Sequence, residues 1–436
     1  MTRRGRAAAA ALCCAVLAQP TAALAAPGGP SAAASPGGAG TGALPPIAQT
    51  TGAARQEGCV KPSGSTTDRT PWAQIFLRPE AAWPLSRGAG VTVAVVGSGV
   101  DGSSGALDGR LVPGPRLQGT GGSDRDCVGH GTFLAGLIAA RQRDGTGFAG
   151  IAPAARILAV AVTDDTGTTT AALLAAGIRA AVDGGAAVVA VAVPVAAGST
   201  ELAAAVRYAA DRGVLVVAPA AADGDTGTAA AAEVFPAAYP EVLAVSGIGP
   251  GGSASNDSAS NGGASNGTAR QGGSGAARID LVAPGTAMTS IGPGGPGHFT
   301  GSGPSFATAV VAGTAALVLG RRPDLTRARL LDRLKATAYR PGTTLPDPVL
   351  GWGTVDPVAA VGVELPEETV HGGPGGAAGR TAPGVAPLPP TVPDPAGRQA
   401  VLLAGGVLAA TALVGGAVLV LARGRRRGWR PGRWTA

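Results

Sequence analysis

The sequence predicts an α/β fold built on a mostly parallel β-sheet with helices on both faces. Two observations lead there. Between residues 91 and 363, short apolar runs rich in β-branched residues alternate with Ala-rich helical stretches, the order expected of repeated strand–helix units. The runs themselves, such as VTVAVV at 91–96, are apolar throughout and end in a turn rich in Gly and Ser, as strands buried on both faces do.

Taken in chain order, strands are expected at 91–96, 156–162, 187–193, 214–218, 242–245 and 278–282. Helices are expected at 130–141, 168–182, 201–211, 305–319 and 326–337. One interruption, 249–275, is too polar and Gly-rich to pack and reads as a long exposed loop. It holds two Asn-x-Ser/Thr triplets, at Asn256 and Asn266, which such a composition produces readily by chance. In folds of this class the chemistry gathers at the carboxyl ends of the strands.

The flanks have a different composition. Residues 1–25 join a basic start, the apolar run AAAAALCCAVLA and an Ala-Leu-Ala site, the pattern of a secretory signal peptide. Residues 26–55 are Gly, Ala, Pro and Ser with almost no large apolar residue, and disorder is expected there. Residues 56–90 carry larger side chains able to pack on a domain surface. After the folded body, 364–399 forms a Pro/Gly spacer. The uncharged stretch 400–422 is long enough to cross a hydrocarbon core of roughly 30 Å. Its basic flank, 423–436, belongs in the cytoplasm by the positive-inside rule, so the body is expected outside the membrane on a single C-terminal anchor. Small residues along that anchor (Gly405, Ala409, Ala412, Gly416) offer a face for another membrane helix.

Charge supports this layout. The chain is formally +7, yet nine of its 34 basic residues are arginines of the two ends, which leaves 25 against 27 acidic ones. A near-neutral body argues against nucleic acid as a partner. Of the four cysteines, Cys13 and Cys14 fall in the signal segment. Cys59 and Cys127 remain, and an oxidising compartment allows them one intramolecular pairing, with two free thiols as the alternative. His130, His298 and His371 are scattered, without a Cys or acid cluster, and make no transition-metal site. No acidic loop has convincing calcium-ligand spacing, and no cofactor is called for.

Two segments carry chemistry. DCVGHGTFLAGLIAA (126–140) places His130 between glycines at the start of an apolar helix. GSGPSFATAVVAGTAALV (301–318) places Ser305 in the first turn of another. A serine hydroxyl needs an imidazole to take its proton, and a helix N-terminus offers a backbone N–H and a favourable dipole to an oxyanion. Each residue alone is ordinary, a helix cap or a structural histidine. Together, in long Gly/Ala-framed segments, they form a candidate catalytic pair.

These segments resemble the histidine and serine motifs of the subtilisin-like serine peptidases (peptidase S8), and the order of acid strand, His, oxyanion-hole loop and Ser is similar too. The resemblance runs from about Cys59 to the C-terminus. Within that family it is nearest to the mycosins, membrane-anchored subtilases associated with bacterial type VII secretion. PWAQIFLRPEAAWPLSRGAGVTVAVV, the Cys127 before VGHGT, the Pro-rich linker and the C-terminal anchor carry it. It implies a serine endopeptidase fold acting on peptide or protein substrates, with type VII membrane components as partners. It also implies a Cys59–Cys127 disulfide that ties an N-terminal extension to the domain.

Departures from the family pattern are as informative. Gly97 stands where the first strand should end in the catalytic aspartate. Ala222 stands where the loop after 214–218 should present the oxyanion-hole asparagine. Ala190 and Ala192 replace the polar pair on the strand beside the substrate, and Pro304, tolerated in a first helical turn, precedes the nucleophile. In subtilisin, loss of the acid lowers kcat by about 3 × 10⁴, and loss of the oxyanion side chain lowers it by about 10²–10³. Asp101, Asp124 and Asp126 are the substitute acids within reach in sequence. Two readings follow. One is a degenerate subtilase with impaired proteolysis that serves as a scaffold or peptide binder. The other is an active endopeptidase in which His130 and Ser305 work with a substitute acid.

Overall fold

A computed structural model describes residues 44–47, 58–223, 233–252, 277–340, 344–365 and 423. The signal segment, most of the 26–55 segment, of the 249–275 loop and of the spacer, and the anchor lie outside the described residues. The chain divides into two compact units, 1–369 and 370–436.

The strands are β1 (Thr92–Gly97), β2 (Leu111–Arg116), β3 (Arg156–Ala161), β4 (Val188–Val191), β5 (Leu215–Pro219), β6 (Leu243–Ile248) and β7 (Leu281–Pro284). They form one sheet in the order β2-β3-β1-β4-β5-β6-β7, with every pair parallel. A separate antiparallel hairpin pairs β8 (Met288–Ile291) with β9 (His298–Gly301). The helices are α1 (Trp72–Leu77), α2 (His130–Ala139), α3 (Ala171–Asp183), α4 (Thr200–Asp211), α5 (Pro304–Arg321), α6 (Arg327–Ala336) and α7 (Pro357–Gly362).

Why the strands lack polar residues is plain from β1. Val93 and Val95 enter the core beneath α2 and α5, while Ala94 and Val96 enter a second core beneath α3 and α4. A strand covered on both faces has no solvent side on which to place a charge. The helices on the α3–α4 face begin where side-chain oxygens satisfy free amides. Thr170 accepts from Leu173 N at 3.2 Å and Ser199 from Leu202 N at 3.1 Å. Such caps contribute about 1 kcal/mol each.

Each expected strand and helix has a counterpart within a few residues. The sequence missed β2, an edge strand holding Pro113 and Pro115, because proline is confined to edges where no ladder N–H is needed. It also missed β8–β9 and the six-residue helices α1 and α7, which are too short to show a period. The 18-residue α5 is long and apolar enough to span a bilayer, but it runs buried through the middle of the domain. It is a core helix.

The 58–90 segment wraps one side of the domain. Cys59 and Cys127 are joined by a disulfide, and Val60 N donates to Cys127 O at 2.8 Å. Further along, His298 N donates to Ser65 O at 2.7 Å and Thr67 N donates to His298 Nδ1 at 3.1 Å. The indole N–H groups of Trp72 and Trp83 reach Thr286 O and Ile151 O, each at 3.0 Å. Upstream, residues 44–47 lie beside β9, with Ile47 N donating to Thr300 O at 2.7 Å.

Candidate active site

The sheet order changes direction at β1. From there the chain first places β2 and β3 on one side and then returns to place β4 on the other. In parallel sheets, crevices open at the carboxyl ends of strands at such a point. Gly97 closes β1, Ala192 follows β4, and the loop after β5 carries Ala222 and Asp223. His130 opens α2 from one side and Ser305 lies in the first turn of α5. Residues far apart in sequence therefore meet here.

His130 and Ser305 are fully buried and in contact, Nε2 to Oγ at 2.9 Å. The imidazole packs against Phe306, ring centroids 5.2 Å apart, and Phe306 in turn packs against Phe133 at 4.7 Å. This fixes the ring between two helices. Pro304 occupies the first position of α5, where its missing N–H matters least.

Among the described residues, His130 Nδ1 is buried without a hydrogen-bond partner. Gly97 has no side chain to offer, and the space one would enter is already taken. A Cβ built on Gly97 lies 2.7 Å from the Ala192 Cβ. The two small residues approach each other closely at the carboxyl ends of β1 and β4. Ala190, the other replaced position, lies fully buried in β4.

The carboxylates near in sequence do not fill the gap. Asp126 is buried and spends both oxygens on the N-terminus of α2. Oδ1 accepts from Gly129 N at 2.8 Å, and Oδ2 accepts from Thr132 N at 2.8 Å and Thr132 Oγ1 at 2.6 Å. Burial pushes its carboxyl above the ordinary value while those hydrogen bonds pull it down. Asp101 accepts from Ser103 N at 2.7 Å and Gly294 N at 3.2 Å. Asp124 is exposed.

The carboxylate that does enter the site is Asp223, a residue sequence reasoning passed over. Its Oδ2 lies 2.8 Å from His130 Nε2 and accepts from Ser305 Oγ at 2.5 Å, while Oδ1 accepts from Ser305 N at 3.0 Å. Ala222, the position that motif matching pairs with the family's asparagine, is half-buried, and the side chain reaching Ser305 comes from its neighbour. One signal was available in the sequence. Asp223 is the first polar side chain after β5, following three alanines.

Among the described residues no group of three or more His, Cys, Asp or Glu is arranged to hold a metal ion. His298 is a structural residue, held by Thr67 and packed edge-on against Phe148 at 5.6 Å. Burial lowers its pKa, with Arg143 adding to the effect. His371 lies outside the described residues.

Comparison with known proteins identifies the family of the fold. Residues 88–353 match the subtilase family. Mycosin-1 of Mycolicibacterium smegmatis is 33% identical over 415 residues, spanning 80% of this chain and 84% of the relative. Among solved structures, MycP1 from the ESX-1 type VII secretion system is 29% identical with a TM-score of 0.57, over 78% of this chain and 98% of that one. A chain in the periplasmic assembly from the ESX-5 inner membrane complex is 26% identical with a TM-score of 0.58, over 80% of this chain and 95% of that one.

Proposed function

The chain belongs to the subtilase family, and from that premise we propose that it is a mycosin-like member with impaired proteolysis, acting as a scaffold or peptide-binding part of a type VII secretion complex. The observation that carries the reading is His130 Nδ1, buried and without a hydrogen-bond partner among the described residues. In a serine triad that nitrogen donates to the acid, which sets the tautomer and stabilises the imidazolium formed during attack. The site here keeps the nucleophile and the base and lacks that support.

Membership of a membrane assembly is supported by two things. The relatives include an ESX-1 system component and a chain of an ESX-5 inner membrane complex. The 400–422 segment has the length and composition of a single C-terminal anchor. On this proposal residues 26–399 lie outside the membrane and 423–436 in the cytoplasm, with domain limits at 91–363 for the peptidase fold. Gly97, His130 and Ser305 are the site positions, and Cys59–Cys127 fastens the extension.

The competing reading, an active endopeptidase, draws on the 2.9 Å contact between His130 Nε2 and Ser305 Oγ. Hydrolysis of casein and a peptide library by the full chain in detergent separates the two. Impairment predicts turnover indistinguishable from Ser305→Ala. Turnover at an ordinary subtilase rate, lost in Ser305→Ala, would restore the peptidase reading.

A further inference from the structure

We propose that Asp223 is a positioning residue that locks this site, filling the oxyanion cradle and fixing His130 as its Nε2–H tautomer. The inference rests on the site being a subtilase active site but is separate from the absence of an acid at Gly97.

Proton counting gives the tautomer. As a carboxylate, Asp223 offers only acceptors. Its Oδ2 stands 2.8 Å from His130 Nε2, and two lone pairs facing each other at that distance repel, so Nε2 carries the proton. Ser305 Oγ gives its own proton to the same Oδ2 at 2.5 Å. A neutral imidazole has one N–H, so the bare nitrogen is Nδ1. That is the nitrogen found buried with no hydrogen-bond partner among the described residues.

Acyl transfer needs the opposite arrangement, with Nδ1 protonated and Nε2 free to take the serine proton. The second effect concerns the substrate oxygen. In serine peptidases of this kind the backbone N–H of the nucleophile is one of the donors that receive the developing oxyanion. Here that N–H is already given to Asp223 Oδ1 at 3.0 Å. An oxyanion entering the cradle would meet a carboxylate instead of a donor.

The surroundings are shaped for this occupant. Gly303 sits beneath it, and a Cβ at that position would lie 2.1 Å from Asp223 Oδ1. The carboxylate therefore reaches Ser305 because residue 303 has no side chain. Three hydrogen bonds, from a backbone amide, a hydroxyl and an imidazole, then hold it in a buried site where each is strengthened.

The chain has three histidines, which makes the tautomer directly measurable. Full chain labelled with ¹⁵N-histidine in detergent, assigned against His130→Asn, should show His130 with Nε2 protonated and Nδ1 bare at neutral pH. Asp223→Ala should lose that fixed tautomer. Asp223→Asn, which replaces an acceptor with a donor, should react with a fluorophosphonate probe on the order of 10²–10³-fold faster than the native chain, with Ser305→Ala abolishing the gain. A native His130 protonated at Nδ1 would overturn the proposal, as would Asp223→Asn and Asp223→Ala both labelling no faster than native. Fast labelling of the native chain would break the reading of impaired proteolysis, whereas inertness of native and variants alike would break only the lock.

Discussion

Two histidines are buried in this domain and their surroundings differ at one atom. His298 Nδ1 accepts from Thr67 N at 3.1 Å and ties the N-terminal extension to the β8–β9 hairpin. His130 Nδ1 is buried and bonded to nothing among the described residues. Buried polar atoms are nearly always satisfied, and each exception asks for a cause. At His298 the extension supplies the partner. At His130 no described residue supplies one, and a Cβ at Gly97 would lie 2.7 Å from that of Ala192. All the polar bonding of His130 is concentrated on Nε2, where Asp223 and Ser305 crowd it.

The largest way to break this contrast is to remove what holds the His130 ring. Phe306 is fully buried against both His130 and Phe133. Phe306→Ala should lower unfolding stability by about 3–5 kcal/mol, read by denaturant titration of the full chain. A loss below about 1 kcal/mol would mean the aromatic stack does not position the ring.

A smaller effect tests whether the acid's space is closed. Gly97→Asp places a Cβ 2.7 Å from that of Ala192, and overpacking of this kind costs about 1–3 kcal/mol. Pairing it with Ala192→Gly should return most of that loss. If Gly97→Asp alone folds with native stability, the strands have room for the acid and the closure argument falls.

The smallest effect belongs to His298. Burial holds its pKa below the ordinary value, so the unfolded chain takes up the proton first as pH falls. The folded state is then unpenalised above about pH 6.5 and loses stability below it, by at most about 1.4 kcal/mol per pH unit for the one proton. Protonation also ends the acceptance from Thr67 N. His298→Gln should flatten the pH dependence in thermal unfolding; an unchanged slope would assign it to other groups.

Most of the fold was legible because burial on both faces forces continuous apolar runs, and β1, β3, β4 and β5 have them. His130 and Ser305 were legible because glycines and small residues must surround a helix start that enters a site. What was not legible is the use of Asp223. Its role depends on the path of the loop after β5 and on Gly303 leaving room, and neither follows from local sequence. Nor did motif spacing reveal that Asp126, so near His130, is spent on capping α2.

Gly97 at the expected acid position and the Asp223 carboxylate at Ser305 are the two features proposed to silence the His130–Ser305 pair. The most direct test is fluorophosphonate labelling of the full chain in three forms: native, Ser305→Ala and the Gly97→Asp/Ala192→Gly/Asp223→Asn variant. Native and Ser305→Ala should label equally little, and the repaired chain should label rapidly at Ser305. Native labelling as fast as the repaired chain, and lost in Ser305→Ala, would contradict this proposal.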